Sequence, residues 1–279
     1  MASAGGLGGV MLSYQHAYHA GSPADLHKHV ALAVLLAPLA GRGALYVESH
    51  AGRGLYDLSS AEAGKTGEAA AGLGTLAAAS PDGPPEGPFW DVLLALRGRD
   101  GPSAYPGSPA VAASLLGAAD RISLHERHPA ELEALRRGRA ALDAFGRGRA
   151  GPAVEVIGAD GHAALRTLRP GAQRGTRAGV RRGLALIDPS YEVKSEYKDA
   201  ADTVVALTRS WPQGIIMLWY PILPAARHNA MVEAVASVLG SNALRHEALY
   251  RNPPERGMTG SGLLIVGITA QAAEALLRA

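Results

Sequence analysis

The sequence predicts an α/β fold built on a seven-stranded, mostly parallel sheet whose last strand is antiparallel. Three observations carry this. Short apolar runs such as 184–187 and 214–218 are too short for helices and read as strands buried on both faces. Helical stretches separate successive runs, which is the rhythm of βα units. The last two candidate strands, near 243–250 and 262–268, have no long helix between them and should therefore pair antiparallel.

Taken in order, Asp25 is placed to cap a helix over about 26–39, which Gly41 stops. Residues 44–48 form the first strand, ending on Glu48 and followed by Ser49-His50-Ala51-Gly52-Arg53-Gly54. An acid and a glycine turn after a strand bring backbone close to a nucleotide. The dinucleotide fingerprint fails, because Asp57 stands where its third glycine would be, and this favours S-adenosylmethionine over NAD. Residues 57–107 break the rhythm with Ala, Gly and a proline run, and show helical stretches near 61–79 and 89–96. They read as an inserted helical subdomain over the mouth of the site, the other reading being a disordered excursion.

Tyr105-Pro106-Gly107-Ser108-Pro109 returns the chain to a helix at 110–116. Strand 121–125 ends at Glu126, which in this type of sheet accepts the two ribose hydroxyls of a nucleoside cofactor. His128-Pro129 opens the next helix. Strand 154–157 ends near Asp160-Gly161, positioned to meet an adenine, and leads into a helix at 162–168. Strand 184–187, helix 196–210, strand 214–221 and helix 224–239 follow. Seven strands ending in an antiparallel hairpin describe the class I S-adenosylmethionine-dependent methyltransferase fold, which is Rossmann-like. The domain plan is a leader at 1–10, probed by no regular pattern and expected to be disordered, a core at 11–56 and 108–279, and the insertion at 57–107.

Composition narrows the chemistry. Hydrophobic residues make up 47% of the 279, ample for a sizeable core. The net charge is only +2, so a nucleic-acid surface has to be a local patch. The best candidate patch joins Arg166, Arg169, Arg174, Arg177, Arg181 and Arg182 to the stretch 136–149; a solvated loop in an arginine-biased chain is the plainer reading. The absence of cysteine excludes disulfides, thiolate metal sites and thiolate nucleophiles. The longest apolar stretch, 29–40, falls short of the ~20 residues that span a bilayer. The first ten residues lack the basic start of a signal peptide, so a cytoplasmic protein is expected. His27 and His29 invite a metal reading, but neighbours two apart on a helix point to different faces, and no metal is expected.

The most informative stretch is Leu184-Ala185-Leu186-Ile187-Asp188-Pro189-Ser190-Tyr191. It puts a carboxylate, a rigid carbonyl and a flat ring at the carboxyl end of a central strand, where open α/β sheets bind ligands. Methylation of an exocyclic amine on a base suits this trio. The nitrogen's lone pair is delocalised into the ring, so Asp188 and the Pro189 carbonyl could accept its two hydrogens and favour a pyramidal, nucleophilic nitrogen. Tyr191 could stack on the extruded base, a contact worth roughly 1–3 kcal/mol. An ordinary strand-to-loop turn is the alternative, since Asp-Pro commonly opens turns.

Linked motifs say more than any one of them. Met11-Leu12-Ser13-Tyr14-x-His16-x-Tyr18-His19-Ala20-Gly21, Ala24-Asp25-x-x-Lys28-His29, Ser49-His50-Ala51-Gly52-x-Gly54 and Tyr105-Pro106-Gly107-Ser108-Pro109 are the first four. His125-Glu126-x-His128-Pro129, Ala159-Asp160-Gly161, the segment 182–192, Leu218-Trp219-Tyr220-Pro221 and Arg256-Gly257-Met258-Thr259 complete the set. In this order they resemble the bacterial large-subunit ribosomal RNA methyltransferase J family. The resemblance implies N6-methylation of one adenine of 23S rRNA, adenine 2030 in bacterial numbering, with S-adenosyl-L-methionine as donor. It implies cofactor contacts at Lys28 or His29, His50, Ser108, Glu126, Asp160, Gly161 and Asp188. Catalysis falls to Asp188 with Pro189 and Tyr191, and substrate contacts to Tyr14, His16 and Tyr191. The implied partner is 23S rRNA, free or early in assembly, met by a monomer without metal or membrane.

Two departures stand out. Ser190 replaces the second proline of the family's motif, and Val266-Gly267-Ile268-Thr269 stands where Asn-Pro-Pro-Trp is usual. A DNA adenine methyltransferase and a non-catalytic RNA-binding module are the other functions compatible with these residues.

Overall fold

The computed structural model describes residues 16–79, 83, 85–144, 151–170, 182–253 and 257–279. After a 3-10 turn at His16–Tyr18 comes helix α1 (Pro23–Leu36), extended by a 3-10 turn at Ala37–Leu39. Its cap is Ser22, whose hydroxyl accepts from the Asp25 N–H at 3.2 Å, with Pro23 at the first helical position. The sequence expectation of Asp25 as cap is therefore corrected, because Ser22-Pro23 takes that role and frees the Asp25 carboxylate for other partners. Strand β1 (Leu45–Glu48) follows, then the short β2 (Leu55–Asp57).

Residues 57–107 hold α2 (Ala61–Thr66), a π-helical turn (Ala70–Gly74), α3 (Thr75–Ala79) and α4 (Pro88–Asp100). They return through β3 (Ala104–Pro106), which pairs antiparallel with β2. Phe89, Trp90, Val92, Leu93 and Leu96 of α4 are buried in the same apolar cluster as Leu32, Leu35 and Leu36 of α1. The amide of Leu73 also donates to the Gly21 carbonyl at 3.1 Å, fastening this stretch to the turn before α1.

The βα alternation then runs through α5 (Ser108–Leu115), β4 (Arg121–His125), α6 (Pro129–Asp143), β5 (Ala153–Ile157) and α7 (Gly161–Thr167). It continues with β6 (Gly183–Ile187), α8 (Glu196–Ser210), β7 (Ile215–Ile222) and α9 (His228–Leu239). Strands β8 (Ala243–Leu249) and β9 (Gly260–Val266) and helix α10 (Ala270–Arg278) close the chain. Seven strands form one sheet in the order β5-β4-β1-β6-β7-β9-β8. All neighbours are parallel except β9, which is antiparallel to both β7 and β8, so the class I methyltransferase sheet expected from the sequence is present.

Every residue of β1 and β6 is buried, because helices cover both faces of the sheet. The alternation along these strands sorts the core into two layers. Tyr46, Leu184 and Leu186 join the cluster under α1, α4 and α5. Leu45, Val47, Ala185 and Ile187 face the cluster of Val204, Leu207 and Val235 from α8 and α9. Truncating one of these leucines to alanine would cost about 2–5 kcal/mol. The central strands are thus fixed from both sides, and the loops at their carboxyl ends inherit that rigidity. Among the described residues, no helix is long and apolar enough to cross a membrane.

Candidate functional site

A cavity opens at the carboxyl ends of β1, β4, β5 and β6, where the strand order reverses direction about β1. Its wall on the β6 side is Asp188. The Lys28 ammonium on α1 donates to Asp188 Oδ2 at 2.6 Å and lies 3.1 Å from Asp25 Oδ1. Lys28 and Asp25 are almost wholly buried. Burial works against the Lys28 charge, but Asp188 and Asp25 outweigh it and carry its pKa above the ordinary lysine range. Burial likewise opposes ionisation of Asp25; His16 and Lys28 prevail and hold it well below the usual carboxylate range. His16 completes this group, its Nε2 lying 2.9 Å from Asp25 Oδ1. The result is a preformed chain of contacts from His16 through Asp25 and Lys28 to Asp188.

His29, one residue on, turns into the cavity's inner wall, where its Nδ1 is 3.0 Å from the Tyr105 hydroxyl. Burial lowers its pKa to about 3, so it is neutral there. His27 points elsewhere: Nδ1 is 2.8 Å from Ser261 Oγ and Nε2 2.8 Å from His246 Nδ1. The two histidines thus serve different faces of α1. Among the described residues, no group of three His, Asp or Glu side chains is placed to hold a metal ion.

The end of β1 supplies a second set. Glu48 is fully buried, with the Tyr46 hydroxyl donating to Oε2 at 2.8 Å and the Ser108 hydroxyl donating to Oε1. Burial pushes its pKa up to about 8. Ser49 Oγ accepts from the Asp188 N–H at 3.3 Å and lies 2.7 Å from His50 Nδ1, which ties the β1 and β6 loops together. Burial lowers His50 to about 3. The carboxylate of Glu126, at the end of β4, accepts from the Gly52 N–H at 2.8 Å and the His128 N–H at 2.7 Å. One face of that carboxylate is therefore spoken for by backbone, and the group is aimed.

At the end of β5, Asp160 caps α7 by accepting from the Ala163 N–H at 2.9 Å. Gly161 lies against the β1 loop so closely that a Cβ would collide with the Ser49 carbonyl. The missing side chain is what lets the start of α7 pack directly on the β1 loop. Lys28, His29, His50, Ser108, Glu126, Asp160, Gly161, Asp188 and His16, all expected from the sequence, line this one cavity.

Two expected residues do not. Pro189 and Tyr191 are buried and are absent from the lining. Tyr191 sits at φ 58°, turned into the layer under α8, with its hydroxyl donating to the Trp219 carbonyl at 2.7 Å and its ring 4.5 Å from that of Tyr197. The sequence placed this ring on the ligand side; the structure places it behind the turn, because the phenol finds both an acceptor and an apolar layer there. Tyr14 lies outside the described residues, as do Arg174, Arg177, Arg181 and 145–149. Of the remaining patch, Arg166 pairs with Asp199 at 3.3 Å at the cavity's edge.

Sequence reasoning also passed over residues that matter here. Ser190, Val193 and Glu196 line the cavity after β6, and His162 lines it beside His50. Asp25 stands three residues before Lys28, which is ion-pair spacing on a helix and was a signal available in the sequence. Ser190, Val193 and Glu196 are brought in by the turn after Asp188 and His162 by the start of α7, and no spacing rule ties either to the site.

Residues 41–277 match the family described as ribosomal RNA large subunit methyltransferase D, RlmJ. Ribosomal RNA large subunit methyltransferase J of Escherichia coli K12 is 32% identical over 260 residues, covering 92% of this chain and 87% of that protein. Its counterpart from Haemophilus influenzae is 31% identical over 261 residues, with the same coverage of 92% and 87%. The crystal structure of protein LPL1258 from Legionella pneumophila superposes with a TM-score of 0.78 at 30% identity, covering 93% of this chain and 90% of that one.

Proposed function

The chain belongs to the RlmJ family of ribosomal RNA large subunit methyltransferases, and from that premise we propose that it methylates N6 of a single adenine in 23S rRNA. The methyl donor is S-adenosyl-L-methionine. The cavity suits that group on its own terms. It offers an aimed carboxylate for a ribose diol at Glu126, together with the Asp160 carboxylate and the Gly161 backbone in the same lining. Lys28, His29, His50 and Ser108 close the remaining wall. When bound, the cofactor supplies an electrophilic methyl group on a sulfonium.

The protein's part is alignment and charge. Lys28 engages Asp188 Oδ2 and leaves Oδ1 to accept one amino hydrogen of the adenine. The other is assigned to the main-chain carbonyl of Pro189, a residue that itself lies outside the cavity lining, so this half of the pair rests on its place next to Asp188 in the turn. The Asp188 acceptor is fixed before the base arrives, so little reorganisation of that group accompanies the transfer. The proton that the nitrogen sheds can pass to Asp188 Oδ1. His16 and Tyr14 are assigned to the RNA side, and the helical insertion at 57–107 to covering the site.

The observation that carries the reading is Asp188: its carboxylate shares one cavity with Glu126 and Asp160, and a buried lysine holds it there. The test offers protein-free 23S rRNA and duplex DNA with labelled cofactor to the wild type and to Asp188→Asn. Label should enter rRNA as N6-methyladenine and not DNA, and the variant should lose about a hundred- to a thousandfold in turnover while calorimetric cofactor binding persists. Label in DNA alone, or unchanged turnover of the variant, overturns the proposal.

A further inference from the structure

The turn that presents Asp188 has an unusual construction. Tyr191 adopts φ 58°, a left-handed conformation that costs a residue with a Cβ roughly 1–2 kcal/mol. Such a conformation persists only where the surroundings over-determine it. The far end of the Tyr191 side chain is held by the Trp219 carbonyl. The near end is held by a different group. Ser190 Oγ accepts from the Glu192 N–H at 3.4 Å, bridging across Tyr191, and donates to Glu196 Oε2 at 3.3 Å. The backbone N–H groups of Tyr191 and Val193 also favour the ionised form of the Glu196 carboxylate. The Glu196 N–H in turn donates to the Val193 carbonyl at 3.0 Å.

One carboxylate in the first turn of α8 therefore takes the Ser190 hydroxyl and is favoured by two backbone N–H groups, all from the residues just after Asp188-Pro189. A proline at 190 would stiffen this turn covalently through its fixed φ. Serine lacks that constraint but brings a hydroxyl, and the hydroxyl is spent on Glu196. Nothing in this arrangement touches the Asp188 carboxylate itself, so the effect reaches the acceptors through the backbone.

Resting on the function proposed above, the geometry points to Glu196 as a positioning residue: with the Ser190 hydroxyl it clasps the 188–193 turn and fixes where Asp188 and the Pro189 carbonyl stand. Burial pushes the Glu196 pKa up, and the bonds from Ser190, Tyr191 and Val193 pull against that, as expected of a carboxylate whose ionised form is used. The clasp takes over in this chain the stiffness that a second proline would give.

The experiment compares wild type, Glu196→Ala, Glu196→Gln, Ser190→Ala and Glu196→Ala/Ser190→Pro. Two readouts are taken: kcat and KM for rRNA methylation, and amide hydrogen exchange of the 188–196 peptide, which needs no activity. Glu196→Ala should speed exchange at Tyr191 and Val193 and lower kcat about ten- to a hundredfold, with cofactor affinity unchanged. Glu196→Gln and Ser190→Ala should fall between, and adding Ser190→Pro should restore most of kcat. Unchanged exchange in Glu196→Ala overturns the clasp. Faster exchange with normal kcat, or loss of kcat that follows cofactor affinity, overturns its positioning role. Should Glu196→Ala fail to fold, Ser190→Ala decides by the same two readouts. A wild type that leaves rRNA unmethylated overturns the functional reading instead, while exchange still reports on the clasp.

Discussion

Lys28 is the residue on which the site's electrostatics turns, since its ammonium separates two carboxylates that would otherwise face each other. Both Asp25 and Asp188 lean on it, at 3.1 and 2.6 Å. Removing one member of a buried ion group leaves the rest uncompensated, typically at a cost of 3–5 kcal/mol. Lys28→Met should therefore lower stability by about that amount in urea unfolding and abolish methylation; a variant as stable as the wild type would show that the pair is solvated. Lys28 and Asp188 were singled out from sequence, yet their meeting was not, because 160 residues separate them and only the folded sheet edge joins them. Tyr191 shows the opposite limit. An aromatic after a turn can pack inward or outward, and no local pattern decides between them. The structure decides by offering the Trp219 carbonyl and the Tyr197 ring on the inner side.

At the scale of elements, what the sequence makes legible is what burial on two faces imposes. Strands β1, β6 and β7 appear as runs of apolar residues, β4 and the edge strand β5 as short alternations, and the helices between them as periodic stretches, so the sheet and its hairpin follow. The two-stranded β2–β3 ladder was missed because three residues carry no period and Pro106 argues against a strand. Helix α10 was missed as well, although Thr269 caps it. Helix α1 starts earlier than expected for a readable reason, the Ser22-Pro23 pair. Glycine positions join element to site. The α7 N-terminus docks on the β1 loop through Gly161, so Gly161→Ala must push α7 away from Ser49. Calorimetry should show cofactor affinity falling at least about tenfold, the scale of one misplaced contact, with thermal stability also reduced. Unchanged affinity would mean that α7 does not form the cofactor's wall.

For the whole molecule, the two core layers leave the sheet edge as the place where ionisable groups are buried, and their pKa values set the response to pH. Burial lowers His27 to about 4, and His29 and His50 to about 3, from an ordinary 6.5. Below pH 6.5 the unfolded chain takes up protons that the folded one refuses, so stability falls with falling pH, by about 1.4 kcal/mol per pH unit for each group. Glu48 works in the other direction. Its pKa of about 8, against an ordinary 4.5, means that the folded protein keeps a proton the unfolded chain releases. That contribution is whole below pH 4.5 and is lost as pH rises to 8. Between 4.5 and 6.5 these three histidines outweigh Glu48, and stability rises with pH. Above 6.5 they no longer contribute, and Glu48 turns the slope downward. Urea midpoints measured across pH 4.5–9 should therefore peak near 6.5. Glu48→Gln, which keeps the shape and removes the titration, should flatten the alkaline side and leave the acid side as it was. A midpoint that climbs steadily to pH 9 in the wild type would mean that Glu48 is ionised in the fold, held by Ser108 and Tyr46 as a charged group.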